Sequence, residues 1–90
     1  MILTIDTDKL PRTMRPGGAV ALAAICREPG LSMSKLARRM NASTANATST
    51  VDRLEKRGLA MRIHHDRDRR VILVEPTSKG RALAAEIFPS

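Results

Sequence analysis

Apolar residues in the first part of this chain recur with the spacing of helices. Pro16 suits the first position of a helix, because its missing N–H needs no partner there, and Pro29-Gly30 ends the apolar run that follows. Ser32 is a suitable N-cap for a second helix, Met33–Met40, whose apolar residues fall on one side. The pattern therefore predicts two short helices joined by a tight turn.

A third helix is predicted to begin after Ser43, its N-cap, and to end at Arg57. Gly58 follows as the C-terminal stop, because glycine adopts the left-handed conformation that ends many helices. The apolar positions of this helix recur at i, i+4 and i+7: Ala47, Val51 and Leu54.

The spacing then changes to that of strands. Leu59, Met61 and Ile63 alternate with smaller or polar residues, which predicts a half-buried strand with those three inward and a partner strand at 71–75. Thr77 caps a last helix, whose apolar residues are Leu83, Ala84, Ile87 and Phe88. The predicted fold class is α+β, mainly α. It is a winged helix-turn-helix with three helices, a two-stranded β-hairpin wing and a C-terminal helix.

Length and composition bound the organisation of the chain. Its 90 residues and 9.9 kDa leave room for one small domain, which we assign to 14–90, after an N-terminal arm at 1–13. One cysteine cannot form an internal disulfide, and no stretch approaches the roughly 18 apolar residues of a membrane span. We therefore expect a cytoplasmic protein without a membrane segment.

The charge distribution narrows the choice of partner. The formal net charge is +7, and +6 of it lies between Lys35 and Arg70, where ten basic residues accompany four acidic ones. So concentrated a basic excess favours nucleic acid. The aromatic content of 1% argues against the modules that stack single-stranded bases on aromatic side chains.

The third predicted helix carries an unusual polar face. Its first half is crowded with short hydroxyl and amide side chains: Thr44, Asn46, Thr48, Ser49 and Thr50. These are indifferent helix formers, but Asn can bridge adenine N6 and N7, and a hydroxyl can reach a base or a phosphate. The alternative is a surface helix of low propensity and no special role. The neighbouring basic residues favour contact with DNA.

The charged turn between the predicted strands has three interpretations. It lacks the Gly and the terminal Glu of a calcium loop, and it would also suit an ordinary charged hairpin tip. We favour a wing at 64–71, in which Asp68 orients Arg70 while Arg67 or Arg69 enters an adjacent minor groove.

No catalytic or metal-binding set of residues emerges. His64 and His65 are adjacent, so a strand points them to opposite faces. Cys26 lies on an apolar helix face, where a core role outweighs a redox role. We predict that the protein is not an enzyme and that it has no metal site and no cofactor.

The chain also contains four short segments in a specific order: GLSMSKLA at 30–37, VDRLEKRGL at 51–59, DRR at 68–70 and TSKG at 77–80. Together they resemble the MarR family of bacterial transcription regulators. The resemblance implies that 44–49 and Arg53 belong to the recognition helix, and that Asp68, Arg69 and Arg70 form the wing. Typical members are longer, with additional helices that build a dimer interface and a ligand pocket. We do not extend that pocket, or a small-molecule effector, to this chain.

We therefore predict a sequence-specific regulator of transcription, a repressor, that binds double-stranded DNA with helix 43–57 in the major groove and wing 64–71 at the minor groove. The predicted DNA-contacting residues are Ser32, Lys35, Arg38, Ser43, Thr44, Ala45, Asn46, Thr48, Ser49, Arg53, Arg67, Arg69 and Arg70. Further predicted phosphate contacts are Arg39, Lys56 and Arg62.

Two other functions fit the same fold: an accessory protein that acts through protein contacts, and an architectural duplex binder without sequence preference. We also predict a homodimer. Its interface would use the apolar segment 1–5, from Met1 through Ile5, or the C-terminal helix face of Leu83, Ile87 and Phe88, or both.

Overall fold

The computed structural model describes residues 16–64, 67 and 71–88. Within them lie four helices and three strands: α1 (Pro16–Arg27), β1 (Leu31–Ser32), α2 (Met33–Met40), α3 (Thr44–Lys56), β2 (Ala60–His64), β3 (Ile72–Pro76) and α4 (Ser78–Ile87). The predicted order of helices and hairpin strands is confirmed. The predicted arm 1–13 lies outside the described residues, as do positions 65, 66 and 68–70 of the predicted wing.

Three helices begin where a side chain can cap them, as predicted. The capping residues and the backbone N–H groups from which they accept are Ser32 with Lys35, Ser43 with Asn46, and Thr77 with Gly80. Each contact satisfies one of the N–H groups that a helix leaves unpaired at its start. Gly58 has a φ of +72°, so a left-handed residue does follow α3.

The sheet has three strands instead of the two predicted for the hairpin. Its order is β1-β3-β2, and both pairings are antiparallel. β1 pairs Leu31 with Val74 and Ser32 with Leu73. The hairpin of β2 and β3 is as predicted, and β1 is an addition that the sequence did not indicate, because a strand of two residues is too short to show the alternation from which strands are inferred.

The inward face of β2 also differs from the prediction. Leu59 is buried but precedes the strand, and its N–H closes the turn at the end of α3. The alternation therefore starts at Ala60, which is buried, whereas Met61 is 44% exposed. Arg62 shares the inner face with Ala60 and pairs with buried Val74 of β3. Met61 was predicted to point inward, but the inward positions of β2 are shifted by one residue, so Met61 points outward.

The apolar core lies between the four helices and the inner face of the sheet. Its largest fully buried side chains are Leu22, Ile25, Leu36, Val51, Leu59, Val74 and Ile87. Leu83 and Phe88 are half-buried and pack against this core. Of the face predicted for self-association, Ile87 is fully buried whereas Leu83 and Phe88 stay partly exposed, and an interface there stays a prediction. So small a domain needs the apolar stripe of α4 to complete its own core.

Cys26 is half-buried and packs against the core, which agrees with its predicted structural role. Burial raises the pKa of its thiol, and the charge of Arg81 opposes only part of that rise. A raised pKa leaves less reactive thiolate at neutral pH. None of the described helices combines the length and apolar character needed to cross a membrane.

Candidate nucleic-acid interface

The exposed stripe of α3 lies opposite its buried residues. The apolar side chains that bury one side of the helix are Ala47, Val51 and Leu54. Helical periodicity turns Ala45, Ser49, Asp52 and Lys56 to the opposite side, and all four are exposed. Asp52 is engaged by a side chain from β2, so we define the central stripe of α3 by Ala45, Ser49 and Lys56.

The two edges of the central stripe differ. On one edge, Asn46 and Arg53 are exposed and border a cavity of about 510 Å³ between α3, the α2–α3 turn and the first residues of α1. On the other edge, Thr48 is half-buried and Asp52 contacts a side chain from β2. One edge is therefore open and concave, and on the other the exposed Asp52 is engaged by the sheet.

The first turn of α3 offers polar groups without negative charge. Ser43, Thr44 and Asn46 are exposed, and the turn contains no acidic residue. The Ser43 hydroxyl accepts the Asn46 N–H at 3.0 Å, which leaves its own proton available to donate. The start of a helix also carries partial positive charge, so this end of α3 favours an anion such as a phosphate.

The basic residues beside this surface keep their charge available. The exposed cations that form no ion pair with a carboxylate of the described residues include Lys35, Arg38, Arg53 and Lys56. Ser32, also predicted to contact DNA, is half-buried and caps α2 by accepting the Lys35 N–H at 3.2 Å. The start of α2 and the exposed side of α3 therefore present cations and hydroxyls.

Arg39 has a partner within the fold. Its Nη2 lies 2.7 Å from Oε1 of Glu28, and both side chains are about half exposed. An exposed pair of this kind contributes little free energy, so Arg39 is weakly held.

Arg62, by contrast, is firmly held by α3. Its guanidinium donates to the carboxylate of Glu55, to Oδ1 of Asp52 at 2.5 Å and to the carbonyl oxygen of Thr48 at 3.4 Å. Its backbone N–H donates to the second carboxylate oxygen of Glu55 at 3.1 Å. Only 21% of the side chain is exposed. The phosphate contact predicted for Arg62 stays a prediction, and the structure directs Nη1 and Nη2 of its guanidinium to α3 instead.

The ionisation of Arg62 follows from these contacts. Burial disfavours its charge, but the hydrogen bonds and negative charges of Asp52 and Glu55 outweigh burial and raise the pKa of the guanidinium. Arg62 therefore stays protonated and offsets one of the two carboxylates on α3. Sequence reasoning missed the network because it placed Arg62 on the outer face. A pair of carboxylates at i and i+3 on α3 was the available signal.

The end of α3 is fixed by the start of α4. Three consecutive carbonyl oxygens accept hydrogen bonds there: Arg57 from Lys79 Nζ at 3.0 Å, Gly58 from Thr77 Oγ1 at 2.6 Å, and Leu59 from the Thr77 N–H at 3.1 Å. A Cβ at Gly80 would lie 2.0 Å from the Leu59 oxygen, so only glycine permits this approach. Residues 57–59 and 77–80 together form what we call the helix-end anchor.

The predicted wing falls largely outside the described residues. Arg67 is described and exposed, whereas Asp68, Arg69 and Arg70 are not among the described positions. Within the described part of the chain, no three His, Cys, Asp or Glu side chains are grouped so that they could hold a metal ion.

Comparison with known proteins gives a consistent picture. A model of the MarR family matches residues 18–72. The HTH-type transcriptional regulator YfiV of Bacillus subtilis is 40% identical over 58 residues, which are 64% of this chain and 36% of YfiV. The HTH-type transcriptional repressor MdtR of Bacillus subtilis is 35% identical over 73 residues, which are 81% of this chain and 47% of MdtR.

A solved structure of BpsR from Bordetella bronchiseptica superposes with a TM-score of 0.82 at 27% identity. The match covers 92% of this chain and 60% of that chain. Against the two Bacillus relatives, the chain spans between about a third and about a half of their length.

Proposed function

The chain belongs to the MarR family, and on that premise we propose that it is a regulator of transcription that binds double-stranded DNA with α3 in the major groove. The central stripe of α3 carries the proposal. The first half of α3 exposes only short side chains and no carboxylate, and the cations beside it form no ion pair with a carboxylate in the described part of the chain. A groove lined by phosphates fits that combination better than an acidic or apolar protein surface does.

Side chains of α3 would supply the sequence reading. Asn46 suits a bidentate contact with adenine, Ala45 suits contact with a thymine methyl group, and Ser49 can donate to or accept from base edges. Thr44, Thr48 and Arg53 extend this set along the helix. The hydroxyl of Ser43, at the start of the helix, would donate to a phosphate.

Phosphate contacts would set the position of the protein on the duplex. Lys35 and Arg38 project from α2, which precedes the recognition helix, and Ser32 lies at its start. Such contacts carry affinity and register but no sequence information. The wing would add a minor-groove contact through Arg67, Arg69 or Arg70, with Asp68 as the orienting carboxylate.

The relatives favour repression as the outcome. MdtR is a transcriptional repressor. The BpsR structure concerns the regulation of its DNA binding by 6-hydroxynicotinic acid. We propose that this chain likewise represses transcription at the sites that it binds.

Selection of binding sites from a random duplex pool at physiological salt tests the proposal. A regulator enriches a defined motif, whereas an architectural binder retains duplexes without enrichment and a protein-interaction module retains none. A homodimer, which stays a prediction, would enrich inverted half-sites about one helical turn, roughly 34 Å, apart. Absence of duplex binding would refute the proposed function.

Two substitutions assign the contacts on that selected site. Asn46→Ala should cost about 1–3 kcal/mol of binding free energy and relax the preference at one base pair. Arg38→Ala should weaken binding to all sequences and reduce the slope of log K against log salt by about one unit. Arg81→Ala, on the exposed part of α4, is the matched control and should leave both quantities unchanged.

A further inference from the structure

The network of Arg62 joins two parts of the domain that are distant in sequence. Arg62 lies at the middle of β2, paired with Val74 of the central strand β3. Its guanidinium reaches atoms of Thr48, Asp52 and Glu55, which span about two turns of α3. A single planar group thus fixes a length of the helix against the sheet.

The charges in this network are unexpected on a helix that approaches phosphates. Asp52 and Glu55 both lie on α3, and each would repel a polyanion if it were unpaired. Arg62 offsets one of these charges and forms ion pairs with both carboxylates. The presence of two carboxylates on α3 is therefore explained by their contacts with Arg62.

The backbone of Arg62 strengthens the link. Its N–H donates to Glu55 at 3.1 Å while its guanidinium bonds the other oxygen of the same carboxylate. A carboxylate held by both the main chain and the side chain of one residue has little freedom to rotate. The angle between α3 and β2 is accordingly defined at that residue.

We propose that Arg62 is a positioning residue for DNA binding, which keeps α3 and the sheet in one fixed orientation and does not itself contact DNA. The proposal rests on the proposed function. It replaces the phosphate contact that the sequence suggested for this arginine, and the two roles differ in measurable ways.

The first test compares Arg62→Gln and Arg62→Lys by their affinity for the selected duplex across a range of salt concentrations. A positioning role predicts that both variants lose about ten-fold, the size of one lost groove contact, and that Arg62→Lys, which keeps the charge, leaves the salt slope unchanged. Lysine fails to rescue because one ammonium cannot reproduce the planar fork that bonds two carboxylates. A phosphate contact predicts rescue by lysine, and a slope reduced by about 0.9 in Arg62→Gln.

Arg38 supplies the matched control for this comparison, since it is exposed and unpaired with any carboxylate of the described residues. Arg38→Gln should reduce the slope, and Arg38→Lys should restore it. If Arg62 behaves like Arg38, the positioning role is overturned.

A second test removes the groups through which Arg62 acts. In the variant Asp52→Asn/Glu55→Gln, the further change Arg62→Gln should alter affinity by less than about two-fold, because contacting residues are not additive. The full ten-fold loss in that background would show that Arg62 acts on DNA directly, and would overturn the proposal.

Amide exchange in the free protein separates this inference from the proposed function. The Arg62 N–H, which bonds Glu55, should exchange more slowly in the wild type than in Arg62→Gln, while thermal unfolding verifies that the variant is folded. Equal exchange rates would overturn the positioning role even if DNA binds. If the wild type binds no duplex, the proposed function is refuted. The amide exchange rates then test by themselves whether Arg62 links β2 to α3.

Discussion

The two halves of α3 differ in what holds them. The first half, 44–49, carries short polar side chains, most of them exposed, and its start is secured by the Ser43 cap. The second half is tied to β2 through Arg62, and the turn after it is tied to α4 through the helix-end anchor. Residues of low helix propensity are tolerated in the first half because tertiary contacts fix the second.

Thr50 marks the boundary between the two halves. The sequence placed it on the polar face, but it is only 5% exposed, and its hydroxyl donates to the Asn46 carbonyl oxygen at 3.0 Å. A threonine hydroxyl that bonds the preceding turn of its own helix is satisfied without solvent or DNA. The comparison thus separates a contact half from an anchored half, and variants in the two should affect different quantities.

The largest expected effect comes from the helix-end anchor. Gly80→Ala places a methyl group 2.0 Å from the Leu59 carbonyl oxygen, and backbone must move to relieve that overlap. We expect a loss of about 1–3 kcal/mol in the free energy of unfolding, measured by urea denaturation.

Gly17→Ala is the control for that variant. Its Cβ would meet nothing within 4 Å, and it too lies in the first turn of a helix. We expect it to be neutral or to stabilise by up to about 1 kcal/mol. Equal behaviour of the two alanine variants would mean that α4 does not hold the turn after α3.

A smaller effect separates capping from DNA contact at Ser43. Ser43→Ala should cost about 1 kcal/mol of stability because the Asn46 N–H loses its acceptor. Ser43→Asp should keep stability within about 0.5 kcal/mol of the wild type, because aspartate caps equally well. Its negative charge should nevertheless lower affinity for the selected duplex by about ten-fold, or 1.4 kcal/mol. Undiminished affinity of Ser43→Asp, measured by titration, would remove the start of α3 from the interface.

The smallest effect is expected at the boundary. Thr50→Val removes a hydroxyl but leaves the Asn46 carbonyl its helical partner, so the free energy of unfolding should change by less than about 0.5 kcal/mol. Affinity for DNA should not change, because the side chain is buried. A marked loss of affinity in a binding titration would return Thr50 to the contact face that the sequence suggested.

The helices were predictable because their signals are local. Ser32, Ser43 and Thr77 cap the helices that follow them, and Gly58 ends α3, all within a few residues of the pattern that indicates them. The exposed polar face of α3 was predictable for the same reason.

The features that sequence reasoning missed depend on contacts between distant residues. The phase of β2 is set by Leu59, which turns into the core before the strand begins, and Arg62 consequently faces inward. β1 exists because it pairs with β3, since two residues alone carry no strand signal. The apolar stripe of α4 predicted an interface, but α1 and the core already cover much of it.

Because the helix-end anchor lies at one end of α3, a tilt of the helix about that anchor moves its other end the most. A helix of 13 residues is about 20 Å long, so a tilt of about 5° about its far end displaces the opposite end by nearly 2 Å. Hydrogen bonds tolerate only a few tenths of an ångström. A small shift of α4 relative to the turn at 57–59 would therefore be magnified at Ser43 and Asn46 into a loss of register.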